Sequence, residues 1–276
     1  MMEIECVYIK LQILASTDLI TLGSEPFATQ TQLVGVGIVA ALCVTAWLAR
    51  RDGVSLASSW GLTGLLAAVA LAGGAVLGAV GGALGTFSSV GALAGVSVAA
   101  LVVRARFGAQ TPPLFDVVAP GAVLALAFAR LGCLFEGCDF GRPTTNSFAV
   151  AYEAPHPVGF LHVTRGLVDA VAPTSAAMHP FPLYIFVPAL LIVLVSFGIC
   201  GGRGTRAMCV VVGYGSVRSM AEWFRDPACR DDIAGLPVGF VAALLVGLGA
   251  FLWWIDSNRN RGGDRARAEE AATDRG

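Results

Sequence analysis

Apolar residues in this chain run in long blocks rather than alternating or recurring in stripes. Seven blocks approach or reach the roughly 20 residues that cross a bilayer as a helix: 30–49, 60–84, 87–103, 114–131, 183–200, 206–224 and 235–255. They predict an all-α polytopic membrane protein of about seven transmembrane helices, with a head segment, 132–182, between spans four and five. The sixth block is the weakest, because it contains Arg218 and Glu222. The expected organisation is a lead-in over 1–29, a membrane domain over 30–255 and a charged, alanine-rich solvated tail over 256–276.

Composition agrees. Of 276 residues, 56% are hydrophobic and 13% charged, where a soluble domain carries about 25% charged residues; mean hydropathy is +0.74. The net charge of -1 gives no bulk field for nucleic acid. The first 25 residues do not read as a signal peptide: Glu3 and Glu5 stand where basic residues belong, and Gln12 and Asp18 break the apolar stretch. Gly74, Gly78 and Gly82, then Gly91 and Gly95, repeat every four residues, a spacing that favours close helix packing.

Arginines near span ends set orientation. Arg50 and Arg51 follow the first span, Arg104 and Arg106 the third, Arg203 and Arg206 the fifth, and Arg259, Arg261, Arg265 and Arg267 the seventh. With seven spans all four sets share one side, the cytoplasmic one. The expected arrangement is multi-pass with the N-terminus outside, the C-terminus inside, and 132–182 and 225–234 outside.

Three polar constellations interrupt this pattern. Residues 130–143 read Arg-Leu-Gly-Cys-Leu-Phe-Glu-Gly-Cys-Asp-Phe-Gly-Arg-Pro. Gly132, Gly137 and Gly141 allow turns and close approach to a ligand, and Arg130 and Arg142 are suited to gripping a phosphate, so a lipid headgroup is the expected ligand. Tyr214, Arg218, Glu222 and Arg225 follow at spacings of 4, 4 and 3 and share one helix face. Charges there mark either a self-neutralising pair or a functional site. His179-Pro-Phe-Pro-Leu-Tyr184 opens the fifth span. There Tyr184 reads as an interfacial aromatic, and His179 as a general base or a satisfied boundary residue. His156 and His162 are weaker candidates. Among the cysteines, Cys43, Cys200 and Cys209 read as small buried hydrophobes. Cys133 and Cys138, five apart beside a turn, leave a disulfide open. No Cys-x-x-Cys occurs, so no metal is expected.

Together these stretches resemble the prolipoprotein diacylglyceryl transferase family: Arg130-Leu-Gly-Cys…Gly-Cys-Asp-Phe-Gly-Arg-Pro-Thr144, His179-Pro-Phe-Pro-Leu-Tyr184 and Gly213-Tyr-Gly-Ser-Val-Arg218-Ser-Met-Ala-Glu222-Trp-Phe-Arg225. The resemblance covers roughly 30 to 255. It implies a multi-pass protein of the bacterial inner membrane, N-terminus periplasmic and C-terminus cytoplasmic, with a periplasmic head. It also implies transfer of the diacylglyceryl group of phosphatidylglycerol to the lipobox cysteine of a prolipoprotein signal peptide, without a cofactor. In that reading Arg130, Arg142, Arg218, Arg225, Gly141, Tyr184 and Tyr214 bind the phospholipid, and His179, Glu222 and Arg218 are catalytic. Three positions depart from the family pattern. Cys133 stands where asparagine is usual, Val90-Gly91-Ala92-Leu93 where many members have His-Gly-Gly-Leu, and no tyrosine occurs around Gln30 to Gly37. The alternative expectation is a divergent phospholipid-binding paralogue with a different acceptor or no transferase activity. A transporter would show matching broken halves, and the chain has no such symmetry.

Overall fold

The computed structural model describes residues 26–80, 89–108, 111–152, 156–199, 204–227, 232–233, 236–237, 240–241, 244–252 and 254–255. The lead-in before residue 26, the tail 256–276, Gly82, Arg203, and Cys6, Cys200 and Cys229 lie outside the described residues. The elements are α1 (Pro26–Arg51), α2 (Leu56–Val80), α3 (Ser89–Phe107), α4 (Thr111–Glu136), α5 (Pro157–Thr164), α6 (Phe181–Ser196), α7 (Thr205–Ala221), a 3-10 turn (Glu222–Phe224), and a two-residue ribbon of β1 (Asp232–Ile233) and β2 (Leu236–Pro237). The molecule is essentially helical. α1, α2 and α4 are long and apolar enough to cross a membrane, and α6 is a shorter apolar helix.

Two boundaries differ from the sequence reading. α4 continues through Arg130 to Glu136, so Arg130, Gly132 and Cys133 sit on its last two turns, and only Gly137 turns the chain, at φ +66°. The block expected to span from 235 begins as β2, where Pro237 faces Asp232 in the ribbon; helix follows within 240–255. A proline without an N–H continues a helix poorly.

Close backbone approach organises the bundle. A Cβ on Gly73 would strike the carbonyl oxygen of Gly91, and one on Gly95 would come within 2.8 Å of the Val69 carbonyl oxygen. The small-residue face therefore seats α2 on α3, as expected for helices in lipid. Gly121 plays the same part for α4 against α1, 2.6 Å from Thr45 Oγ1 if it carried a Cβ. Val123, Leu124 and Ala127 of α4 pack with Ala189 and Val193 of α6 and Val210 of α7. Leu48, Leu62, Val103, Val117 and Val118 join the first four helices. Leu71, Leu101, Val195 and Met220 face outward, each more than 60% exposed, which is a lipid-facing pattern.

One end of the bundle is tied by polar groups. Pro120 lies inside α4 and cannot bond the Asp116 carbonyl one turn back. Arg206 takes that carbonyl at 3.3 Å, and also binds the Asp52 carboxylate at 2.5 Å and the Ile199 carbonyl at 2.6 Å. The Asp116 carboxylate accepts from the Gly204 and Ala207 N–H groups at 2.9 and 2.8 Å, capping α7 from another helix. Arg206, read from sequence as a topology-setting charge, is completely buried and ties this knot.

Candidate functional site

The opposite end of the bundle brings the three motifs together. Gly137 reverses the chain after α4, and residues 139–143 then run as extended backbone between two partners. Gly141 bridges to Arg225 and Pro143 to Met178. The Arg142 N–H donates to the Phe224 carbonyl at 2.9 Å, the His179 N–H to the Arg142 carbonyl at 3.0 Å, and the Asp226 N–H to the Phe140 carbonyl at 3.1 Å. Any Cβ on Gly141 would lie 2.5 Å from the His179 carbonyl oxygen and 2.9 Å from that of Phe224. Only glycine lets the strands of the site approach this closely. Gly141 is therefore where the first motif touches both others.

Side chains then form an alternating chain of charge. Arg130 Nη1 donates to Asp139 Oδ2 at 2.6 Å. Arg225 Nε donates to the other carboxylate oxygen of Asp139 at 2.7 Å, and its Nη1 reaches Glu222 Oε1 at 2.9 Å. Glu222 Oε2 accepts from Arg218. Three guanidiniums and two carboxylates thus stand in the order Arg130–Asp139–Arg225–Glu222–Arg218. Both acids are buried, whereas the arginine side chains keep 12 to 22% of their surface. The acids hold the cations from inside and leave them facing outward, which is how an anion-binding site is built. Burial would raise the Asp139 pKa, but the charges of Arg225, Arg130 and Arg218 outweigh it and hold the carboxyl below its ordinary value.

Phe181, fully buried, lies under this chain with the guanidinium carbons of Arg218 and Arg225 at 5.4 and 5.8 Å from its ring centre. Such cation–π contacts fix the plane of each guanidinium. Tyr214 packs against the Phe181 cluster and lies within electrostatic reach of Arg130 and Arg218. His179 is half-buried. Its Nδ1 is 2.9 Å from the Tyr184 hydroxyl, and its ring meets Phe224 edge-on at 5.2 Å. Arg142 donates through Nε to the Arg225 carbonyl at 3.3 Å, and so braces the site through backbone.

All nine residues singled out from sequence thus fall at this end of the bundle. His156 and His162 do not join them. His156 caps α5 by accepting from the Val158 N–H and stacks on Tyr152. His162 accepts from the Ala176 N–H at 3.1 Å, lies edge-on to Phe140, and is fully buried with Nε2 unpartnered among the described residues. Sequence reasoning missed three contributors. Asp139 reads in the sequence as one acid among several, Phe181 as one apolar residue in a proline-rich start, and Gln30 as a polar residue at the opening of the first span. Gln30 Nε2 donates to both Cys133 and Cys138 at 3.8 Å. The contacts of Asp139 with Arg225 and of Gln30 with the two cysteines join positions 86 to 108 residues apart, beyond the reach of any local signal.

Helices able to cross a bilayer, with a cluster of arginines held on buried carboxylates at one end, define an integral membrane protein equipped to hold an anionic group. The family model for prolipoprotein diacylglyceryl transferase matches residues 19–255, and the chain belongs to that family. Among similar proteins, the phosphatidylglycerol–prolipoprotein diacylglyceryl transferase of Clostridium tetani is 26% identical over 63% of this chain and 66% of its own length. The enzymes of that name from Rhodococcus jostii and Chlorobaculum tepidum are 32 and 26% identical, over 65 and 59% of this chain and 50 and 54% of theirs. The chain thus spans half to just under two thirds of these relatives.

Proposed function

We propose that this protein transfers the diacylglyceryl group of phosphatidylglycerol to the lipobox cysteine of bacterial prolipoproteins, the first step of lipoprotein maturation. The observation that carries the reading is the Arg130–Asp139–Arg225–Glu222–Arg218 chain, with three cations presented on buried acids in a family of this activity. The acceptor sulfur attacks a glyceryl carbon of the lipid. A C–S bond forms as the C–O bond to phosphate breaks, the leaving glycerol phosphate takes the electron pair, and the thiol proton passes to a base. Arg130 and Arg218 stabilise the phosphate oxygens as charge gathers there, and Arg225 and Arg142 complete the phospholipid site. Glu222 holds Arg218 and Arg225 in place. Gly141 lets the three motifs close on one another around the headgroup site, with Tyr184 and Tyr214 flanking it. His179, oriented by Tyr184, is the base. The protein sits in the inner membrane with seven spans, its N-terminus and the 132–182 head periplasmic and its C-terminus cytoplasmic; what supports this is the arginine distribution along the chain.

Complementation tests the reading. In a bacterium depleted of its own transferase, this chain restores the lipid label and mobility shift of a lipoprotein, and Arg218→Ala abolishes the rescue while the variant still inserts. An inserted protein with no rescue and no labelling of a lipobox peptide refutes transfer, and favours a paralogue that binds phospholipid without this reaction.

A further inference from the structure

Cys133 and Cys138 are two free thiols at the edge of the charge chain. Cys133 sits on the last turns of α4. The Gly137 N–H then bonds back to the Cys133 carbonyl at 2.9 Å, and the positive φ of Gly137 folds Cys138 over it. The two sulfurs share one donor, Gln30 Nε2, at 3.8 Å each. Both side chains are half-buried rather than sealed in the core. The segment that separates them turns at Gly137 and brings both side chains to that one donor, an arrangement open to a bond of about 2 Å between the sulfurs. Cys138 is followed directly by Asp139, the acid that binds Arg130 and Arg225.

We propose that Cys133 and Cys138 form a disulfide on the periplasmic side, made by a dithiol–disulfide oxidoreductase, and that this bond locks Asp139 beside Arg130. The proposal rests on the orientation given above, since a cytoplasmic pair would stay reduced. One thiolate attacks the carrier's disulfide and forms a mixed disulfide as the carrier's first thiolate leaves. The second cysteine then attacks the mixed disulfide, closing the Cys133–Cys138 bond and releasing the carrier's second thiolate. Two electrons pass to the carrier, which ends as a dithiol, and the two thiol protons pass to it through water. The ring that closes is short, so its contribution is to positioning more than to chain entropy. Where the family usually carries asparagine, this chain thereby has a covalent clasp.

Trypsin cuts after Arg130 and not between Arg142 and Pro143, so the fragment 131–165 contains both cysteines and no other. Cells expressing the full chain are quenched in acid, alkylated under denaturing conditions and digested without reductant. The expected fragment carries no alkyl group and is lighter than the dithiol by two hydrogens; it accepts two alkyl groups only after reduction. A fragment alkylated twice without reduction overturns the proposal. Exposing the purified, folded protein to oxidised glutathione then locates the fault. Closure there indicts the orientation, and continued double alkylation indicts the pairing itself. A disulfide found in a chain that fails complementation leaves this inference standing and removes the transfer reading alone.

Discussion

Asp139 carries more of the site than any residue recognised from sequence. Each of its oxygens holds a different arginine, and removing one member of a buried ion pair strands its partners, at about 3–5 kcal/mol. Asp139→Asn is expected to lower transfer at least tenfold and to reduce the melting temperature in detergent. Asp139→Glu, which keeps the charge but lengthens the arm, should recover stability more than activity. Because its folded pKa is depressed, Asp139 contributes stability that is present above the unfolded value of about 4 and lost only as pH falls through the folded one, so it is silent at growth pH. His162 behaves differently. Burial, the largest influence, lowers its pKa, opposed by Asp226 and reinforced by Arg165. The unfolded chain therefore binds the proton better than the folded one. Head stability is full above the unfolded value of about 6.5 and declines as pH falls below it. Protection of the amides over residues 140–178, after correction for the intrinsic pH dependence of exchange, should fall between pH 7.5 and 5.5. His162→Asn, which keeps an acceptor for the Ala176 N–H, should flatten that pH dependence.

At the scale of elements, the apolar blocks located most helices within a few residues, because lipid demands length and apolarity and both are local properties. Endings were less legible. α4 outlasts its apolar block by five residues, since Arg130 near its end pairs with Asp139 and Glu136 is buried within the protein rather than set in lipid, and no count of apolar residues contains that information. The glycine spacing announced a packed face, but it is Gly73, outside the four-residue series, whose backbone meets Gly91. Gly91→Leu should separate α2 from α3 and lower the yield of folded protein in detergent, measured by monodispersity, while Gly61→Ala, in open space, changes nothing. For the site, the three motifs were readable as chemistry, and their assembly was not. Hydrogen bonds such as Arg142 N–H to Phe224 join stretches that the sequence separates by three helices.

For the whole molecule, polarity is concentrated at the two ends of the bundle, with opposite uses. At one end Arg206 is wholly buried among its acceptors; at the other, arginines remain partly open on theirs. A site of that kind is suited to an anionic group. Native mass spectrometry of the purified protein should retain phosphatidylglycerol in preference to zwitterionic phospholipid, and Arg218→Ala should erase the preference. Arg206→Leu should instead abolish accumulation of the protein, since it removes the buried partner of the Asp52 carboxylate and the donor to the carbonyl that Pro120 cannot bond.

That last carbonyl also bears on how the protein is made. Ninety residues separate Asp116 from the arginine that satisfies it, and the ribosome emits them in that order. While the chain lengthens, α4 enters the bilayer with an unfinished turn and an acid that still awaits the N–H groups of Gly204 and Ala207. Both require shelter, by water or by the insertion machinery, until α7 emerges. A chain truncated before residue 206 is thus a natural substrate for membrane quality control, and release from surveillance coincides with synthesis of the helix that carries Arg218.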